Sequence, residues 1–216
     1  MGLRLLPFRQ YNEHDVVNMF ALNSDAVLTN TTDDGSGSNG VFVKVSDGNF
    51  DQDTISYSSD SYLGKTDFPF TSAEMYPSNP LTVTPAKSGE LPLGITLNQT
   101  AKNDENGEKL LYNPTKAAEL QAVLPGQSVP VATKGIFTLS SNAFSGSAQD
   151  YIIGTQVQIA HYEADQGKIF PSTDGNALST GNFGTIIGSG TRNGAGTDSR
   201  TPVADQFSGE FLVIKL

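Results

Sequence analysis

The chain has 216 residues and no cysteine, which excludes disulfides, thiolate chemistry and a cysteine-held zinc. A balance of 23 acidic to 13 basic residues gives a net charge of −10, which repels phosphate backbones and argues against nucleic acid as a partner. With 37% hydrophobic and 17% charged residues and 22 glycines, the composition excludes disorder by self-repulsion and suits a β-rich protein with many turns.

Residues 1–12 read as an extended N-terminal arm. Leu3, Leu5, Leu6 and Phe8 are apolar, Arg4 and Arg9 are basic, and Pro7 lacks the donor that regular strand pairing needs. These residues have neither the long apolar core nor the small-residue cleavage site of a secretory leader. No 18-residue apolar run occurs either. Synthesis in the cytosol, with no membrane partner, is therefore expected. Residues 13–216 are expected to form a single β-rich domain.

Within it, residues 16–22 predict the first strand, with a short helical turn as the competitor over so few residues. Residues 33–40 are a turn by composition. Residues 41–45 predict a strand, expected to form a hairpin with the segment around Ala26 to Thr29. Residues 46–80, with aromatics scattered among Ser and Asp, read as an irregular excursion. Residues 81–85 and 93–97 alternate and predict strands. One short helix is expected at about 114–123. Asn113 is a good N-cap and Pro114 suits the first helical position. Ala117, Leu120, Val123 and Leu124 form an apolar stripe, and Pro125-Gly126 stops the helix.

Residues 129–139 predict a strand pair or bent strand. Residues 152–159, 184–188 and 209–216 predict further strands, rich in β-branched or aromatic residues and bounded by Gly, Asp or Asn. The last is expected to be tied into a sheet. Residues 171–182 and 188–202 read as loops, the second long enough to be functional or ordered by a partner. The expected class is all-β, a small β-barrel or β-sandwich with long loops.

Reactive motifs are sparse. His14 and His161 stand in separate segments without metal-ligand spacing. Asp47, Asp51 and Asp53 give one Asp-x-Asp, short of a calcium loop, and read as a solvated turn. Gly188, Gly190, Gly194 and Gly196 imitate a phosphate loop, but no helix follows and the third glycine falls one residue late. No Gly-x-Ser-x-Gly elbow occurs, and no pair of carboxylates is singled out for glycoside hydrolysis. The acceptor patterns at Asn30 and Asn98 are read as chance matches. No enzymatic activity, cofactor or metal is expected.

One resemblance remains. Phe8-Arg9-Gln10-Tyr11, residues 16–22 and 93–97, Asp104-Glu-Asn-Gly107 through Asn113-Pro114, residues 124–131, Lys134-Gly135-Ile-Phe137 and residues 209–216 resemble the capsid decoration, or cement, proteins of tailed bacteriophages, marine phages in particular. The resemblance covers most of the chain and marks no reactive group. It implies a β-barrel or β-sandwich on the outer capsid surface, made in the host cytoplasm, often trimeric at three-fold and quasi-three-fold positions. Such a protein stabilises the shell by bridging major capsid protein subunits, and its terminal arm commonly reaches neighbours. The implied partners are the major capsid protein and further copies of the chain. Candidate contact residues are Leu3, Arg4, Leu5, Leu6, Phe8, Arg9, Arg192 and Arg200, the last two offering bidentate partners for carboxylates. The alternative is a head- or tail-fibre module recognising bacterial-surface glycans.

Overall fold

The computed structural model describes residues 4–21, 29–30, 39–46, 82–101, 103–104, 106–124, 128–160, 166–172, 181–192 and 209–216. Its architecture is all-β, as expected. Five strands close into a barrel: β2 (Val16–Ala21), β5 (Thr82–Pro85), β4 (Phe42–Ser46), β6 (Gly94–Thr96) and β9 (Ser128–Ala132). β2 and β5 run parallel and the other barrel pairs are antiparallel. Closure leaves no ladder edge open to foreign strands. Met19, Val41, Val43, Val83 and Val131 fill the interior, and the four valines are β-branched side chains that suit a pleated surface.

Beside the barrel lies an open four-stranded sheet. Its order is β1 (Leu5–Gln10), β10 (Ile136–Ser140), β14 (Gly209–Lys215) and β13 (Thr185–Arg192), antiparallel throughout. The period-2 pattern of a strand sorts its residues by face. Leu212 and Ile214 are buried, whereas Phe211 and Val213 are half-buried and Lys215 is exposed. Phe137, Leu139, Leu212 and Ile214 join the barrel residues Phe42, Ile95 and Ala132 in one core. Each of the larger of these side chains, the Phe, Leu and Ile residues, stabilises the fold by about 1.5–3 kcal/mol. β11 (Val157–Ile159) and β12 (Ile169–Pro171) pair antiparallel, and both feed this core. Tyr151 ties the region down, its hydroxyl lying 2.9 Å from both the Ser145 and Ile169 carbonyl oxygens and sharing its one proton between them.

A further, parallel sheet joins β3 (Thr29–Asn30), β7 (Gln99–Ala101) and β8 (Ala122–Val123). The helix α1 spans Pro114–Glu119 only. Asn113 caps it as expected, its side chain accepting from the Lys116 N–H at 3.2 Å. The stop comes earlier than the apolar stripe suggests. The buried Gln99 side chain donates to the Leu120 carbonyl at 2.6 Å, and Gln121 takes a left-handed φ of 49°. The chain then reverses, and Ala122 and Val123 serve as strand. Ala117 and Leu120 still cover Ala101, Leu110 and Leu124.

Other expectations need correction. Residues 5–10 are no detached arm but the edge strand β1 of the same fold. Pro7 interrupts pairing locally, and the register shifts between Leu5 and Arg9, but the strand resumes at Arg9. Among the described residues β4 forms no hairpin with Thr29, and residues 26–28 of the expected partner lie outside them. β4 pairs with β5 and β6, while β3 pairs with β7. Residues 129–139 are two strands that never pair with each other, one in the barrel and one in the sheet. Of residues 152–159, only the last three are strand. Ile152 to Thr155 make a turn closed by a 3.1 Å backbone hydrogen bond. Residues 188–192, expected to be loop, belong to β13. The excursion expected at 46–80, apart from residue 46, lies outside the described residues, as do the glycine turn at 33–38, Pro125-Gly126, residues 173–180 and residues 193–202.

Candidate functional site: an outward sheet face

The core side of the four-stranded sheet is sealed, so its other side defines the candidate site. Cross-strand partners share a face. Gly188, Gly190 and Arg192 on β13 oppose Val213, Phe211 and Gly209 on β14, and Val213 and Phe211 oppose Thr138 and Ser140 on β10. Gly190 leaves room for the Phe211 ring: a Cβ there would meet that ring at 3.1–3.2 Å. Phe211 therefore lies flat over the strand rather than standing into solvent.

Phe8 is 57% exposed, an unusual outlay for a large aromatic on a strand. The Arg192 guanidinium sits 5.0 Å from the centre of its ring, within the range where a cation is drawn to an aromatic face. β1 and β13 are opposite edges of the sheet, so this stack links the two margins of the face. Lys215 adds a second, exposed cation. The four strands carry one carboxylate, Glu210, on the opposite side of β14. It is held there by the Ser147 hydroxyl at 2.9 Å and the Ala148 N–H at 3.0 Å. The outward face thus holds two cations and no carboxylate among its described residues, on a chain of net charge −10. At one end, Gln10, Tyr11, Asn12, Glu13, His14 and Ile136 line an open concavity of about 600 Å³.

The candidate contact residues therefore separate. Phe8 and Arg192 come together. Arg9 turns away, donating to the Leu97 carbonyl at 3.5 Å and lying 5.9 Å from the Tyr11 ring centre. Leu5 and Leu6, at 3% and 2% exposure, are buried, and Arg4 is buried at 9%. These three are buried within the chain: the β1 backbone is stitched to β10 by the Ser140 N–H donating to the Arg4 carbonyl at 2.8 Å, and Leu5 enters the core. Leu3 and Arg200 lie outside the described residues, as do His161 and Asp47, Asp51 and Asp53. His14 is an exposed surface residue whose N–H donates to the Asn12 side chain at 3.1 Å. Among the described residues no group of three or more His, Asp or Glu comes together.

Sequence reasoning missed Phe211, Val213 and Lys215. Their alternation with Leu212 and Ile214 was the available signal. It also missed the role of Asp104 in the stretch Asp104-Glu-Asn-Gly107. That carboxylate is buried and accepts from the N–H groups of Asn106 and Glu108 at 2.9 and 2.8 Å. The residue types recur there to make a turn.

No family model, curated protein or solved structure matches the chain.

Proposed function

We propose that this chain is a structural virion protein that binds the outer surface of a bacteriophage capsid and bridges major capsid protein subunits, acting by contact and without turnover. The observation that carries the reading is the outward sheet face, where an exposed Phe8 lies under Arg192. Such a surface suits another protein's surface better than a small molecule, which needs a concave pocket to bury most of its area. The sequence resemblance supplies the identity of that other protein. A stable protein interface buries about 1,600 Å² in total, and a homotrimer attached at several points would multiply modest contacts.

The test is decoration of shells assembled from the major capsid protein of the phage that encodes this chain. Purified protein is added to undecorated shells, and the bound copies are counted after sedimentation and located by electron cryo-microscopy. Regular occupancy between capsomers, hundreds of copies per shell, supports the proposal. A handful of copies at a vertex or tail favours a fibre-type module, and no binding refutes attachment.

A further inference from the structure

We infer that β13 is an open sheet edge that pairs, antiparallel and two-fold, with β13 of a second copy of this chain, Ser189 of each copy lying opposite Thr191 of the other. The inference goes beyond the attachment reading and does not rest on it. It follows from the parity of the sheet. Leu216 and Gly135 exchange both backbone hydrogen bonds, at 2.9 and 3.4 Å, so Leu216, Ile214, Leu212 and Glu210 turn their N–H and C=O groups towards β10. In an antiparallel sheet the intervening residues turn theirs the other way. Lys215, Val213, Phe211 and Gly209 therefore bond β13, through Thr185, Gly188, Gly190 and Arg192. Ile186, Ser189 and Thr191 are left pointing their backbone groups off the edge. Ile186 bears this out: its N–H donates to the Thr155 carbonyl at 2.9 Å and its own carbonyl accepts from Gly154 at 2.8 Å. Among the described residues nothing takes the outward groups of Ser189 and Thr191. Thr191 is exposed and Ser189 half-buried.

Natural sheets blunt such an edge with lysine, proline, a bulge or a covering segment. β1, the opposite edge, has such devices. Pro7 has no N–H, the register shifts between Leu5 and Arg9, and the Leu5 N–H donates to the Asn39 side chain at 3.3 Å. From Gly188 onward β13 has no proline, lysine or carboxylate, and its one cation, Arg192, reaches across the outer face to Phe8. Ile152, Ile153 and Ile187 are exposed where the open stretch begins, on two segments joined by the Gly154–Ile186 bond. The strand's own sequence suits a copy of itself. Antiparallel pairing centred on Gly190 gives every outward group of Ser189 and Thr191 a partner on both strands. It sets Ser189 against Thr191, a favourable hydroxyl pair, and Arg192 against Gly188, which has no side chain to crowd it. Each chain has a net charge of −10, and a strand without carboxylates spares the contact local repulsion. A ring built from β13 on β1 would need the blunted edge, so the contact is two-fold. The stretch from Gly188 to Arg192 is far smaller than a standard interface, and a weak Kd on the order of 10⁻⁴ M is expected.

The test uses the full chain at concentrations from about a tenth to about ten times that Kd. Sedimentation equilibrium is combined with amide hydrogen exchange followed by nuclear magnetic resonance. A monomer–dimer equilibrium is expected, tightening as salt screens the two acidic chains. The Ser189 and Thr191 amides should exchange several-fold more slowly in the concentrated sample, while those of Gly188 and Gly190, already bonded to β14, should change little. Ser189→Pro removes an outward N–H without taking a bond from β14 and is expected to abolish the dimer. Thr191→Lys sets like charges diagonally across the pair and is expected to weaken it by about tenfold or more. Thr191 is exposed, so this variant serves alone if Ser189→Pro does not fold. A monomer throughout would overturn the inference. So would an oligomer that the folded variants leave unchanged, or Ser189 and Thr191 amides that exchange at one rate at every concentration. Slower exchange only when undecorated shells are added would overturn it in favour of a strand supplied by the shell.

Discussion

Leu5 and Phe8 lie on the same strand, three residues apart, and the structure gives them opposite jobs. Leu5→Ala removes a side chain that is 3% exposed and packed in the main core. Truncating a buried leucine costs about 2–5 kcal/mol, depending on how far the neighbours settle into the gap. An edge strand settles more readily than a central one, so the lower half of that range, about 3 kcal/mol, is expected. Phe8→Ala removes an exposed ring whose described partner is Arg192, and about 0.5–1 kcal/mol is expected from the lost stacking. The assay is equilibrium unfolding in urea followed by far-ultraviolet circular dichroism. With a slope of about 2–3 kcal/mol/M, the midpoint should fall by about 1–1.5 M for Leu5→Ala and by less than about 0.5 M for Phe8→Ala, with slopes unchanged. If Leu5→Ala unfolds at the wild-type midpoint, residues 5–10 are a detachable arm after all and the core assignment is wrong. Equal losses for the two variants would refute the division of the strand into an inner and an outer side.

Two further outcomes are expected. Gly94→Ala should abolish folding or aggregate on expression, because the new Cβ would stand 2.2 Å from the Ala132 carbonyl oxygen on the neighbouring barrel strand, a contact only backbone movement can relieve; a soluble Gly94→Ala protein with the wild-type melting temperature would contradict the barrel geometry. The second concerns Glu90, whose carboxyl partial burial acts to raise, while hydrogen bonds from the Lys44 side chain and the Lys87 N–H and the charges of both lysines outweigh that and hold it below its ordinary value. A carboxyl lowered by folding stabilises above its unfolded pKa, and that contribution is lost as pH falls through the folded value. Lys44→Met should therefore be less stable than wild type at neutral pH, with the gap closing in acid, and a gap that is constant with pH would show that the ion pair contributes nothing.

Much of the fold is legible in the sequence, because strand existence follows from local alternation. Residues 16–21, 42–46, 82–85, 94–96 and 209–215 announce themselves through Val, Ile, Phe and Thr between turn residues. Pairing is not local, so it stays hidden. β4 lies close in sequence to Thr29, which suggests a hairpin, yet it closes the barrel with strands far downstream. The helix end was hidden for a similar reason, since Gln99, well upstream, takes the Leu120 carbonyl. The candidate site was half visible. Phe8 and Arg192 stood out as an apolar residue of the arm and a loop arginine, but nothing in the chain says that they touch. Pro7 pointed the wrong way: it does interrupt the ladder, but the interruption is absorbed as a register shift inside a strand whose leucines remain in the core.

The placement of β14 has a consequence for the order of synthesis. Every strand of the closed barrel has been synthesised by Ala132, so the barrel's strands are complete before those of the open sheet. The open sheet must wait longer. β14 sits between β10 and β13 and is the last to emerge of the strands among the described residues. Until it arrives, β13 has no strand to lie against and Phe211, Val213 and Lys215 do not exist on any surface.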